Sequence, residues 1–516
     1  MKTTNLPRLD RSGPAARLIV DGAPFVIRGG ELTNSGAERS YLAEFWPKLE
    51  SLGINTVLAP VYWDVVEPAE GDFDWTLVDE LLDDAREHGL RLVLLWFGSW
   101  KNSMSCYIPG WAKSDTRRFP RARTSDGRAL EILTPFSDAN RDADAHAFSA
   151  LMRHLREVDR QHTVILVQVE NEIGMIPQAR DHSDAAEAAF RGAVPEGALP
   201  RDAEPGTWTE VFGDSPATDE RFMAWAFARY VEHVTVAGKS ELALPMYTNA
   251  ALIRPGAQPG QYPSAGPLPH LADIWRAGAP SLDFLAPDIY FPNFADWADA
   301  YVAAGNPLFV AEALRSIDAA ANALYAYGTH GALGFSPFGI ETISDEAAGY
   351  LAQAFDVVRQ LSPLIAEHAG AGTMTGLLPP TDDLRAPHRV RLDDVILEAT
   401  YEHSPAPDLA DGVINESGDA RGSTRLPAAA LVVRTAPDEL VVAGIGVTLT
   451  FHDIDPAGDL IGILSCAEGR FEAEDGAGVT WRHRRWLNGD QTHQGRHVRL
   501  EPGRFAVQRV RLYRYR

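Results

Sequence analysis

Two glutamates stand where apolar strands should end. Glu172 closes the stretch TVILVQVENEIG, residues 163–174, and Glu312 sits near the end of LFVAEAL. Residues 163–169 are mostly β-branched and apolar, the pattern of a strand buried on both faces of a parallel sheet. That strand finishes in Gln168, Glu170, Asn171 and Glu172. Carboxylates are almost never buried without partners, so acids at the ends of such strands need an explanation. Either acid alone could belong to a structural ion pair or cap a helix. Together they suggest more, because paired carboxylates flanking a bond are what glycoside hydrolysis requires. One, kept protonated, donates to the leaving oxygen while the other attacks the anomeric carbon. A separation of about 5 Å would imply retention of configuration through a covalent intermediate. Asn171, beside Glu172, is placed to hydrogen-bond a substrate hydroxyl.

Such a pair requires a scaffold that brings distant strand ends together. LIVDGAPFVIRGGEL reads as a small hairpin turning at Asp21-Gly22, then a first strand ending near Glu31. Further strands follow in INTVLAPVYWDVVEP, LRLVLLWFGSW, residues 163–169, LPMYTNA, SLDFLAPDIYF, NPLFVAEAL and GALGFSPFGIE. Amphipathic segments such as SYLAEFWPKLESLG and WTLVDELLDDAREHG alternate with them, ending at Gly53 and Gly89. This alternation predicts a (β/α)8 TIM barrel over residues 15–365, with strands four and seven facing each other across the mouth. A doubly wound sheet is the competing architecture, but no glycine-rich phosphate loop follows the first strand. Beyond Thr373 the texture shifts to short alternating runs with frequent Gly, Pro and Asp, predicting a smaller antiparallel β-sandwich-like domain over residues 366–516. A polar, Ala- and Pro-rich insertion at about 175–214 is long enough for a lid, a rim or a partner surface.

Aromatic residues crowd the expected strand ends: Tyr62, Trp63, Trp96, Trp100, Tyr247 and Tyr290. Sugars present apolar C–H faces, which such rings would suit, although rings also dominate ordinary cores. Polar groups share these positions: Glu31, Asn34, Asn102, Asn249 and Asp288. The formal net charge of -24 argues against a nucleic-acid surface, which needs basic stripes, and is compatible with a neutral substrate. Only Cys106 and Cys466 occur, so neither a disulfide framework nor a cysteine-based zinc site is expected. No HxH or HExxH spacing accompanies the strand ends, and no metal or other cofactor is expected. Pro, Gly and charges interrupt every apolar run, so no membrane span is expected. The N-terminus has no apolar signal-like core, and the expected location is cytoplasmic. Homo-oligomerisation is left open.

Three of these pieces, NTVLAPVYWDVVEPAEGDFDW, ILVQVENEIG and FVAEAL, resemble the family 35 glycoside hydrolases, mostly β-galactosidases, within the clan A barrels. A barrel followed by a smaller β-domain also resembles a bacterial branch of that family. The resemblance implies that Glu172 is the general acid/base, that Glu312 is the nucleophile and that Tyr290 supports Glu312 by hydrogen bonding. It implies a retaining exo-β-glycosidase acting on a β-linked oligosaccharide or glycoside, without a cofactor. Glu31, Trp63, Trp100, Asn102, Asn171 and Tyr290 are the expected substrate-binding residues. The chain departs from the family in places. Pro60 replaces a common tyrosine, and WFGSWKN replaces RPGPY, keeping an aromatic and an amide in Trp100 and Asn102. Met104 falls where an acid is common, and GGELTNS lacks the usual His-Tyr. These departures bear on the sugar rather than on double displacement. Galactose is the first expectation, with xylose, glucose and fucose as alternatives; a barrel that only binds carbohydrate is the competing class.

Overall fold

The computed structural model describes residues 6–380, 386–402, 426–455, 457–474 and 478–516. A small antiparallel sheet, Arg8–Asp10, Arg17–Val20 and Ala23–Pro24, precedes the main body. Its last turn is made at Asp21 and Gly22, with φ of 53° and 83°. That pair of left-handed residues is what a two-residue hairpin of this type demands.

Eight parallel strands then close into a barrel in chain order. They are β1 (Ile27–Glu31), β2 (Thr56–Tyr62), β3 (Arg91–Lys101) and β4 (Val164–Asn171), then β5 (Met246–Ala251), β6 (Phe284–Ile289), β7 (Phe309–Ala313) and β8 (Gly334–Pro337). The register runs from Gly30 opposite Val57, through Val57 opposite Leu92 and Asp288 opposite Glu312, to Gly334 opposite Ile27. Every residue of β2 and β4 is buried, because one face lines the barrel and the other lies under the helices. Gly30 is required on β1: a Cβ there would lie 2.7 Å from the Ile340 side chain.

Two long helices pack on β3 and β4, Asp138–Val158 and Pro216–Glu241 respectively, each N-capped by a serine, Ser137 and Ser215. They approach closely at Gly238, where a Cβ would sit 2.2 Å from the Phe148 ring. The insertion after β4 folds into short helices, Asp184–Phe190 and Trp208–Phe212. Trp208 and Phe190 pack edge-on against Phe222 of the long helix. The segment is therefore anchored to the barrel's outer layer by aromatic burial.

After the last barrel helix, Asp345–His368, the chain forms a six-stranded and a four-stranded antiparallel sheet. Strand Ala429–Ala436 shows how they join. Leu431 and Val433 pack into the barrel's hydrophobic cluster, while Ala430 and Val432 face the four-stranded sheet. One strand, alternating with period two, thus belongs to two cores. Among the described residues, no helix is long and apolar enough to cross a membrane.

Candidate active site

At the end of β4 the backbone leaves regular strand geometry. Glu170 and Glu172 have φ of 62° and 46°, a left-handed conformation that side-chain-bearing residues rarely adopt. The consequence is that the two acids part company. Glu170 points away from the mouth and accepts the Trp100 backbone N–H at 2.8 Å. Glu172 projects into the mouth, its own N–H donated to Asn249 Oδ1 at 3.0 Å.

Glu312, on β7, lies across from it. Tyr290, one residue beyond β6, donates its hydroxyl to Glu312 Oε2 at 2.5 Å. The amides of Asn171 and Asn249 each donate to Glu312 Oε1 at 3.4 Å. Asn249 also donates to Asp288 Oδ2 at 2.8 Å, so one amide on β5 ties together groups from β4, β6 and β7. One carboxylate oxygen each from Glu172, Asp288 and Glu312 lies within 4.8 Å of the others. Glu31, from β1, completes the acid cluster; it is fully buried, and its carboxyl meets the Glu312 carboxylate but no amide, amine or hydroxyl donor of the protein.

Burial and like charge dominate the electrostatics. Burial, with the Glu312 charge beside it, pushes the Glu172 carboxyl up to about 7, while Lys101 opposes the shift. Burial first, then Glu312, hold Glu31 and Asp288 well above the usual carboxylate range. Lys101, at the end of β3, brings the balancing positive charge, with Nζ 3.8 Å from Glu172 Oε2. Around this cluster the Tyr247 hydroxyl, the Gln168 amide, Asp288 Oδ1 and Asn171 Oδ1 are buried without protein partners. Buried polar atoms of this kind normally find a partner. Their convergence marks a surface built to meet hydroxyl groups. Among the described residues, Glu172, Asp288 and Glu312 are also the grouping with metal-ligand spacing. Two amides and a hydroxyl already engage Glu312, and an amine faces Glu172, so this donor set suits carboxylate chemistry without an ion.

The structure brings together Glu31, Asn171, Glu172, Tyr290 and Glu312, and places Asn102 at the rim. Asn102 is exposed, with φ of 49°, and its side-chain oxygen accepts from Lys101 Nζ. Two expectations fail. Trp63 is fully buried, packs against Trp96 and Trp111, and donates its indole N–H to Glu67 Oε2 at 2.7 Å. Trp100 is fully buried with its ring edge-on to Phe227 and Tyr230 of the long helix. Both rings stand behind the barrel wall because a large indole gains more from packing under helices than from lining a polar mouth. The same hydrogen bond accounts for the acid of the VVEP run after β2: Glu67 accepts from Trp63 and from the Gly71 N–H, and so closes that loop. Lys101 was missed. Its signal was a lysine ending an eleven-residue strand that is otherwise almost wholly apolar.

A TIM barrel whose mouth encloses opposed carboxylates is one architecture on which glycoside hydrolysis is built. Residues 17–224 match the model of the glycosyl hydrolases family 35. Residues 351–499 match a domain of unknown function, DUF5597. A β-galactosidase of Xanthomonas manihotis is 29% identical over 180 residues, covering 33% of this chain and 27% of that protein. The chain thus matches about a quarter of that relative's length. Crystal structures of β-galactosidases from Rahnella sp. R3 and Bacillus circulans sp. alkalophilus both superpose with a TM-score of 0.50. They are 16% and 13% identical, and the superpositions cover 66% and 67% of this chain and 57% of each of theirs. At that identity the likeness is one of fold. Glu172 lies within the matched family segment and Glu312 outside it.

Proposed function

We propose that the chain is a retaining exo-β-glycosidase that releases terminal β-galactose by double displacement. The observation that carries this reading is the approach of Glu172 and Glu312 oxygens to within 4.8 Å. Inverting enzymes need more room, because a water must stand between carboxylate and sugar.

Glu312 attacks the anomeric carbon as its C–O bond to the leaving group breaks. Tyr290, Asn171 and Asn249 orient the Glu312 carboxylate for that attack. Glu172, with its pKa pushed up to about 7, still carries a proton in mildly acidic water and gives it to the departing oxygen. Once Glu312 is esterified to the sugar its negative charge is gone, and one cause of the raised Glu172 pKa goes with it. Glu172, now a carboxylate, takes a proton from a water molecule as that water's oxygen bonds to the same carbon and the ester bond to Glu312 breaks. Glu31, Gln168, Tyr247 and Asp288 offer the polar floor on which sugar hydroxyls are bound. The cluster is dominated by acids, which favours a neutral glycone over an anionic one. Near-complete burial of Glu31, Glu172 and Glu312 fits a pocket that takes a chain end.

The test is hydrolysis of a panel of p-nitrophenyl β-glycosides, with proton NMR of the first-formed anomer. Release of β-galactose ahead of mutarotation is the expected result. First release of the α-anomer would refute retention. A preference for the xyloside, glucoside or fucoside would keep the mechanism and replace the sugar.

A further inference from the structure

We propose that Lys101 is the positioning residue of Glu172, held in a tight turn at the end of β3 so that it both aims the acid/base carboxyl and governs when that group yields its proton. The inference rests on the acid/base assignment of Glu172 made above.

Lysine is almost never buried unless paired, yet Lys101 is only 5% exposed. Its turn is unusual in its own right. The Lys101 N–H donates to the Met104 carbonyl at 2.8 Å, and the Met104 N–H to the Lys101 carbonyl at 2.9 Å. Between them Asn102 and Ser103 have φ of 49° and 65°. Two consecutive left-handed residues are the geometry of a two-residue hairpin turn, normally filled with Asn-Gly or Asp-Gly. A serine in the second place costs strain that the surroundings must offset. What the turn gains is contact with Glu172. The Ser103 N–H donates to the Glu172 carbonyl at 3.1 Å, and Lys101 Nζ faces the Glu172 carboxylate at 3.8 Å. Lys101 itself pairs with Asn171 in the barrel sheet. Asn102 accepts from the amine, which fixes where the charge points.

Of the remaining groups around Glu172, the Glu312 charge acts in the opposite sense, while a hydrogen bond with Asp288 acts in the same sense as Lys101. Glu31 on β1, Asp288 on β6 and Glu312 on β7 are acids, and the Tyr290 hydroxyl and Asn249 amide are neutral. Lys101 is the cation that pulls Glu172 towards its ionised form. Without it, Glu172 would hold its proton too tightly to serve as base in the second step. Its backbone contact would remain, because Ser103 supplies that.

The experiment compares wild type, Lys101→Met and Lys101→Arg. The alkaline limb of kcat/KM on p-nitrophenyl β-galactoside should rise by about 1–2 pH units in Lys101→Met. Lys101→Arg, which keeps the charge, should leave the limb near its original position. A lower rate at every pH with an unmoved limb would mean a merely structural lysine and would overturn the proposal, as would equal shifts in both variants. Titration of Glu172 alone is followed by the infrared carboxylate band, as the difference between each protein and its Glu172→Gln counterpart. This needs no substrate. A midpoint that rises in Lys101→Met supports the proposal and an unchanged midpoint sinks it, even if no glycoside is hydrolysed and the glycosidase reading itself fails.

Discussion

Two buried acid clusters lie on either side of Asn171, and they are built in opposite ways. Behind the barrel wall, Asp144 accepts from the Trp96 indole at 2.9 Å, from Ser99 Oγ at 2.5 Å and from the Tyr230 hydroxyl at 3.3 Å. Glu170 joins it, accepting from the Trp100 N–H, and burial with the Asp144 charge holds the Glu170 carboxyl well above its usual range. Inside the mouth, Glu31, Glu172, Asp288 and Glu312 are equally enclosed. There the Glu31 carboxyl meets only the Glu312 carboxylate, and one oxygen of Asp288, the Tyr247 hydroxyl and the Gln168 amide have no protein partner. Burial and raised carboxyl pKa are common to both clusters, so neither property singles out the site. The difference is where the donors go. The outer cluster spends most of them on its own carboxylates, leaving Glu170 Oε1 and the Trp100 indole N–H unpartnered, and ties helices to the wall. The inner cluster leaves polar atoms converging on a shared space, which is the arrangement expected where a ligand supplies the missing bonds.

The sharpest way to break this contrast is Glu312→Gln. Turnover of every glycoside should fall by about 10^4-fold or more, since no other group in the mouth is placed to replace a lost nucleophile. Removing one of several like charges should leave the melting temperature unchanged or slightly higher. A large fall in melting temperature would instead make Glu312 a structural acid like Asp144. Glu172→Gln should cost about 10^2–10^4-fold on glycosides with poor leaving groups and much less on nitrophenyl substrates for the first step. Azide, which needs no base to attack the glycosyl-enzyme, should restore turnover of activated substrates. The alkaline limb should disappear as well. Wild-type stability should show the same group. Because the folded-state pKa of Glu172 is raised to about 7 from 4.5, the folded protein holds this proton more tightly than the unfolded chain. Its contribution is therefore fully present below about pH 4.5 and is lost as the pH rises towards 7, a fall that Glu172→Gln should lack.

Much of this was legible in the residues, for physical reasons that differ from one element to the next. The barrel showed because eight apolar runs are bounded by turn residues and separated by helical periodicity, and β4 and β7 are apolar along both faces. Glu172 and Glu312 showed because an ionisable group at the end of such a run is anomalous. Trp63 and Trp100 misled because a ring near a strand end can face either side of the wall, and side-chain direction depends on where the strand stops alternating. Trp63 begins a short helix, Trp63–Val66, while Trp100 falls near the end of β3, where the register with β4 shifts. Lys101 escaped notice because Asn102-Ser103, although turn-prone, lacks the glycine that marks a two-residue left-handed turn in sequence. The insertion's anchoring also lay beyond reach, since it depends on Phe222 in a separate helix.

A smaller effect on activity is expected on the other side of the contrast. Asp144→Ala leaves the Trp96 indole, Ser99 and Tyr230 without their shared acceptor. The loss should be about 2–4 kcal/mol of stability in calorimetry or denaturant titration. kcat/KM measured well below the new melting temperature should stay within about tenfold of wild type. If Asp144→Ala lost activity by several orders of magnitude while remaining folded, the outer cluster would have to be counted as part of the catalytic apparatus.

The smallest change is the one that separates a sugar platform from a packed ring. Trp100→Phe keeps an aromatic between Phe227 and Tyr230 and removes only part of the indole. Because that ring stands behind the wall, KM for a galactoside should change by no more than about twofold, and the visible consequence should be a cavity cost of about 1–3 kcal/mol. Glu31→Gln provides the matching measurement inside the mouth. The protein group that Glu31 meets is another carboxyl, that of Glu312, so replacing it should spare stability while weakening substrate binding by about 1–3 kcal/mol, the usual cost of losing a hydrogen bond to a charged or buried group. A Trp100 variant that raised KM as much as the Glu31 variant would place the indole within reach of the sugar and undo the division between wall and mouth.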